Sequence, residues 1–138
     1  MTKLERVLYT AKVHTTGGRT GSCRSSDGRL DIKLSYPGTA DTDTNPEQLF
    51  AAGWSACFES AMAIAARQMK VALPPDTAID AKVDLDVSVD GYFLRARLNV
   101  RLPGLERAVA QSLTDAAHRT CPYSKAVRGN VDVAINLV

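Results

Sequence analysis

The sequence predicts an α+β fold, with mainly antiparallel sheets and two principal helices, one of them long and buried. Three observations carry this. Apolar and polar residues alternate with the period of a strand in stretches near both ends and in the middle of the chain. A run rich in small residues between positions 45 and 70 opens with helix-start signals, and a second apolar stripe at helical spacing begins at 105. The resulting order is strand pair, helix, strand hairpin, helix, strand, which is not the strict strand–helix alternation of a parallel sheet. Nothing in the 138 residues marks a linker, a repeat or a low-complexity tract, so the expectation is a single domain over 1–138.

Residues 4–14 alternate through Val7, Tyr9, Ala11 and Val13 and read as a strand. A Gly-rich polar turn region follows from Thr15 to Gly28, and Leu30, Ile32 and Leu34 alternate as a second strand. Residues 35–44 hold Pro37 and Gly38 and read as a loop. Asn45 reads as a helix N-cap, with Pro46 at the first helical position, Glu47 in the first turn and Gln48 at the capping-box position. That helix can run to about Lys70, before Pro74-Pro75. Ala51, Ala52, Gly53, Ala56, Ala61, Ala63, Ala65 and Ala66 put small residues on most of its faces, as a helix buried against close neighbours would have.

Val83, Leu85, Val87 and Val89 alternate next. Beyond a turn near Gly91, Phe93, Arg95, Arg97 and Asn99 take one face of a strand and Leu94, Ala96, Leu98 and Val100 the other, which makes a hairpin. Pro103 and Gly104 break the chain. The second helix, about Leu105 to Thr120, has Leu105, Val109, Leu113 and Ala116 at helical spacing and stops at Pro122. Val131, Val133, Ile135 and Leu137 form the last strand.

Composition removes several classes of function. Apolar residues make up 45% of the chain but aromatics only 6%, so a core is possible and must be built mainly from Ala, Val, Leu and Ile. The net charge of +2 comes from interspersed signs with no basic stripe, which gives nucleic-acid binding no support. The longest apolar stretch is broken by Glu59, Ser55 and Ser60 and does not read as a membrane span. The opening MTKLERVLYT has neither a long apolar run nor a cleavage site, which points to the cytoplasm. The three cysteines, Cys23, Cys57 and Cys121, are odd in number, which does not suggest a secreted disulfide framework; no pair has metal-ligand spacing and His14 and His118 are far apart, so a zinc site is not expected. In a cytosolic chain a cysteine pair is redox-active or catalytic more often than structural.

Taken alone, each candidate has a bland reading beside the chemical one. Cys57 lies mid-helix in GWSACFESA, where a free cysteine usually acts as a small buried hydrophobe. It stands roughly 18 Å from the helix start, too far for the helix dipole to activate it, so a reactive Cys57 needs a cation from elsewhere. Cys121, in HRTCPYSKA, sits where a helix meets a proline; it is a buried cap residue or a mobile cysteine able to reach a sulfenic acid. His118, one turn earlier, is a solvated histidine or a proton carrier. Arg19, in TTGGRTG, is a solvated loop arginine or a permanently charged thiolate partner held on a tight glycine turn.

The segments GGRTG, TNPEQLFAAGWSACF and CPYSKAVRGNVDV, in this order, together resemble the organic hydroperoxide resistance (Ohr) family of the Ohr/OsmC superfamily. The resemblance spans essentially the whole chain and includes the separation of Cys57 and Cys121, which stand 64 positions apart. It implies that Cys57 is the peroxidatic cysteine, Cys121 the resolving cysteine, Arg19 the stabiliser of the thiolate and Glu47 the residue that fixes Arg19. It further implies an intertwined homodimer with sites at the subunit interface, and alkyl and fatty-acid hydroperoxides as substrates. Dihydrolipoyl groups on a partner protein would be the external reductant, and no metal or bound cofactor is implied. Trp54 departs from the pattern, standing where tyrosine is common, and Cys23 lies outside it and reads as incidental.

Phe50, Trp54, Phe58 and Met62 are the expected apolar substrate wall, with ordinary core packing as the other reading for some of them. Glu47 and Cys57 are ten residues apart, roughly 15 Å along a straight helix and about 80° around it. One guanidinium barely spans that, so Glu47 is expected from the other subunit or from a bent helix. The rival function is a redox sensor or carrier that uses the same disulfide without sustained turnover; a purely structural dimeric module is a third.

Overall fold

The computed structural model describes residues 3–138, which fall into two compact units, 3–46 and 47–138. The first unit is a three-stranded antiparallel sheet of β1 (Val13–Thr16), β2 (Ser22–Ser25) and β3 (Asp31–Lys33), with Val13 opposite Ser25 and Cys23 opposite Ile32. A single 3₁₀ turn, Gly18–Thr20, joins β1 to β2. Glycine is required on both sides of that turn. Gly17 has φ +75°, and a Cβ on Gly21 would stand 1.7 Å from the Thr16 carbonyl oxygen.

Three expectations for this unit change. Residues 4–12 form no strand, because their alternating side chains have no partner strand; Leu4, Val7, Leu8 and Tyr9 are all exposed. The stretch Thr15–Gly28, read as a turn region, contains strand β2, which pairs with β1 and β3. The strand expected around Leu30–Leu34 is the three residues of β3, and Leu34 makes only an isolated bridge to Thr44.

The second unit opens with helix α1, Pro46–Met69, which starts at the proline as its sequence signals require. A hairpin follows. β4 (Ala78–Ser88) and β5 (Gly91–Arg101) pair antiparallel over their full length, turning just before Gly91 at φ +119°. Helix α2 (Arg107–Thr120), a short helix α3 (Pro122–Val127) and β6 (Asp132–Leu137) complete the chain. β6 lies parallel to β5, so this sheet is mixed; the helical crossover returns the chain in the same direction as β5.

The core of this unit is built from three surfaces. The alternation of β5 turns Ala96, Leu98 and Val100 inward, all fully buried, and leaves Arg95, Arg97 and Arg101 outside, paired with Asp84, Asp86, Asp132 and Asp80. α2 contributes Ala110, Leu113 and Ala117, a face rotated slightly from the expected one. α1 contributes Trp54, Phe58, Ala61, Met62, Ala65 and Ala66. The opposite side of α1, including Ala52, Ala56, Ser60 and Ile64, is exposed, so within one chain this helix is buried on one face and not on most of them. By length and composition alone α1 is also long and apolar enough to cross a membrane, but its apolar face is the core just described.

Candidate active site

The site lies in the second unit, where α1 meets the junction of α2 and α3. Helical spacing places Phe50, Trp54, Cys57 and Phe58 on neighbouring turns of α1. The junction exists because of Pro122. A proline disfavours helical backbone in the residue before it, and Cys121 accordingly adopts φ −59°, ψ 124°. Cys121 therefore ends α2 and begins α3: its N–H donates to the Ala117 carbonyl at 2.8 Å, and its carbonyl accepts from Lys125 at 3.0 Å. The residue is fully buried, whereas Cys57 is half-buried.

The Cys121 thiol and the backbone N–H of Tyr123 are the polar neighbours that act on the Cys57 sulfur. Neither cysteine is in a disulfide. Burial pushes the Cys57 thiol up, and the hydrogen bond with Cys121 pushes it further; the Tyr123 N–H favours the thiolate but does not outweigh them. Left to these neighbours, Cys57 is protonated at neutral pH. A cation is what such a sulfur needs to become a nucleophile.

The chain after Cys121 is fastened to α1 by further contacts. Trp54 Nε1–H donates to Ser124 Oγ at 3.1 Å, with both residues fully buried. The Phe50 ring meets Trp54 edge-on at 5.7 Å and Tyr123 edge-on at 6.4 Å. A Cβ on Gly53 would lie 2.9 Å from Tyr123 Oη, so the missing side chain lets the tyrosine lie against the helix. Tyr123, Ser124 and Gly53 were not singled out from sequence. The available signal was a glycine inside a helix, which costs about 1 kcal/mol against alanine and calls for a packing reason.

The expected site residues thus divide. Cys57, Cys121, Phe50 and Trp54 come together. Phe58 and Met62 are fully buried in the core, as is Trp54, and Phe50 alone of the four expected wall residues keeps some exposure. Glu47 is half-buried in the first turn of α1, ten residues from Cys57 on a continuous helix. Arg19 is half-buried in the 3₁₀ turn of the first unit. His118 is half-buried with its ring 6.4 Å from that of Phe58, and burial, followed by the charge of Arg128, lowers its pKa despite Asp115. Cys23 lies on β2, accepting from Thr15 Oγ1 at 3.3 Å. Among the described residues, no three His, Cys, Asp or Glu side chains form a cluster that could hold a metal ion.

The family model for OsmC-like proteins matches residues 38–136. The organic hydroperoxide resistance protein of Xanthomonas axonopodis pv. citri is 47% identical over 141 residues, covering 99% of both chains. The crystal structure of OhrB of Bacillus subtilis superposes with a TM-score of 0.90 at 44% identity, covering 96% of this chain and 100% of that one. A Vibrio cholerae structure described as a putative organic hydroperoxide resistance protein, with captopril bound in one of the active sites, has a TM-score of 0.90 at 39% identity over 98% of this chain and 95% of that one. The chain belongs to the OsmC/Ohr family, with the organic hydroperoxide resistance proteins as its relatives over the full length.

Proposed function

We propose that this protein is a cysteine-based peroxidase that reduces organic hydroperoxides to alcohols. The observation that carries the reading is the contact between Cys57 and Cys121, one thiol half-exposed on α1 and the other buried at a helix junction. The names of its relatives supply the substrate class.

In this mechanism Arg19 holds Cys57 as thiolate, and Glu47 orients Arg19. The thiolate attacks the terminal peroxide oxygen, the O–O bond breaks and the alkoxide leaves as alcohol after taking a proton. Cys57 is then a sulfenic acid. The Cys121 thiol condenses with it, forming the disulfide and releasing water, which protects Cys57 from further oxidation. A dihydrolipoyl group on a partner protein reopens the disulfide: one thiol attacks, and its neighbour resolves the mixed disulfide intramolecularly. An apolar approach past Phe50 favours alkyl and fatty-acid peroxides over hydrogen peroxide, since each buried methylene contributes about 0.8 kcal/mol. The protein works in the cytoplasm as a homodimer, and the Glu47 serving each site comes from the partner subunit. No bound cofactor takes part.

Steady-state peroxide consumption tests this. With tert-butyl or linoleic hydroperoxide, dihydrolipoamide should support turnover where thioredoxin and glutathione do not. Cys57→Ser should abolish it, and Arg19→Ala should reduce kcat/KM at least tenfold, the effect of a rise of about one unit in the thiol pKa. A disulfide formed by one equivalent of peroxide without sustained consumption would instead make the protein a sensor.

A further inference from the structure

We infer that the buried hydrogen bond between Trp54 and Ser124 is a positioning device for the resolving step: it ties the Cys121 segment to the helix that carries Cys57. This rests on the peroxidase reading above and adds to it two residues that act through Cys121 rather than on the peroxide.

Disulfide closure has a strict geometric requirement. A disulfide forms only when the two Cα atoms lie within about 7 Å and the Cβ atoms face one another. Cys121 has regular helix on either side, but the residue itself is a break in extended conformation. A break between two helices is a place where α3 can swing relative to α2, and with it the Cys121 side chain. What restrains it toward α1 is contact made by the next three residues. Pro122 has no N–H to donate. Tyr123 is 40% exposed, and its backbone N–H acts on the Cys57 sulfur, the atom that oxidation changes. Ser124 is fully buried, and its Oγ accepts from Trp54 Nε1, one helical turn before Cys57. This tether is independent of the redox state of either cysteine. It is therefore in place at the moment when the sulfenic acid must be met.

Two reactions then compete for the Cys57 sulfenic acid. In one, the Cys121 S–H condenses with Cys57 S–OH to give the disulfide and water. In the other, a second hydroperoxide oxidises Cys57 S–OH to the sulfinic acid and leaves as its alcohol, and the enzyme is lost. The tether acts on the first reaction only, because it sets how often Cys121 is within reach. The quantity it controls is the partition ratio, the number of turnovers completed per molecule inactivated.

The test is that ratio, read by intact-mass spectrometry as disulfide against Cys57 sulfinic acid across a hydroperoxide titration. It compares wild type, Ser124→Ala, Trp54→Phe and the double variant, each with a thermal melt. The proposal expects Ser124→Ala to lower the ratio severalfold, Trp54→Phe to lower it as well, and the double variant to fall no further than the worse single one, since both remove the same bond. Trp54→Phe also leaves unfilled volume in the core, so its melting temperature is expected to fall further than that of Ser124→Ala while the two ratios fall alike, and the ratio and the melt part company. An unchanged ratio in Ser124→Ala overturns the proposal, and so does a ratio that falls additively in step with the melt, which is the signature of a loosened core. Absence of both disulfide and sulfinic acid in wild type overturns the peroxidase reading instead.

Discussion

At the scale of single residues, the candidate site is a problem in solvation. A thiolate is the reactive form of cysteine, and burial disfavours it. Cys57 is placed where burial and a neighbouring thiol both keep its proton on. Its chemistry cannot be read from its own helix, and the mechanism accordingly assigns a permanent cation, Arg19, to it. His118 is a second group shifted by burial, and here the sign has a consequence for stability. Its folded pKa lies below the ordinary value, with Arg128 adding to the effect and Asp115 opposing it. As pH falls through about 6.5 the unfolded chain takes up this proton before the folded one. The contribution of neutral His118 is thus present above that pH and is lost as pH falls through the folded value. His118→Gln should flatten this part of the acid limb, seen as a smaller drop in the urea midpoint between pH 7 and pH 5. An equal drop in both proteins would assign the limb to other groups.

At the scale of elements, what was legible in the sequence was what local patterning dictates. Pro46 and Glu47 mark the start of α1, and the alternation from Phe93 to Val100 sorts β5 correctly into an arginine face and an aliphatic face. The direction of β6 was not legible, since Val131 to Leu137 alternate identically whether the strand runs parallel or antiparallel. Helix α3 was missed because six residues are too few to show a period. The site was legible in its cysteines but not in its supports. Gly53, Tyr123 and Ser124 act through contacts across 70 positions of sequence, as between Trp54 and Ser124. The role of Pro122 follows from backbone sterics and gives a prediction at this scale. Pro122→Ala removes the bias that holds Cys121 in extended backbone and lets α2 continue into α3. Closure of the disulfide should slow on the order of tenfold, equivalent to about 1.4 kcal/mol of lost positioning, while the helical signal in circular dichroism holds or rises. Quenched-flow mass spectrometry after one equivalent of peroxide measures it, and closure at the wild-type rate would show that the break is dispensable.

At the scale of the whole molecule, the arrangement of apolar surface argues for a second copy of the chain. In the hairpin, register places Val83 opposite Ala96, Leu85 opposite Leu94 and Val87 opposite Tyr92, all on the face that becomes the core toward the other end of the strands. That face does not stop being apolar where the core stops. Leu85 is 47% exposed, Val87 73% and Tyr92 76%. Alternation that continues past the core marks a surface selected for burial, and covering each such side chain is worth roughly 1.5–3 kcal/mol. The uncovered side of α1 and the unpaired alternation of Val7, Tyr9 and Ala11 are the same kind of signal in two other places. The expected outcome is a sedimentation-equilibrium mass twice that of one chain at micromolar concentration. Val87→Asp, which places a charge in the middle of the strip, should shift the mass toward that of one chain. Because the proposed site takes Glu47 from the partner subunit, peroxidase activity should fall in proportion to the dimer lost and recover as protein concentration is raised. A wild-type chain that sediments as a monomer and still turns over peroxide would confine the site to one chain, with Glu47 and Arg19 serving Cys57 from within it.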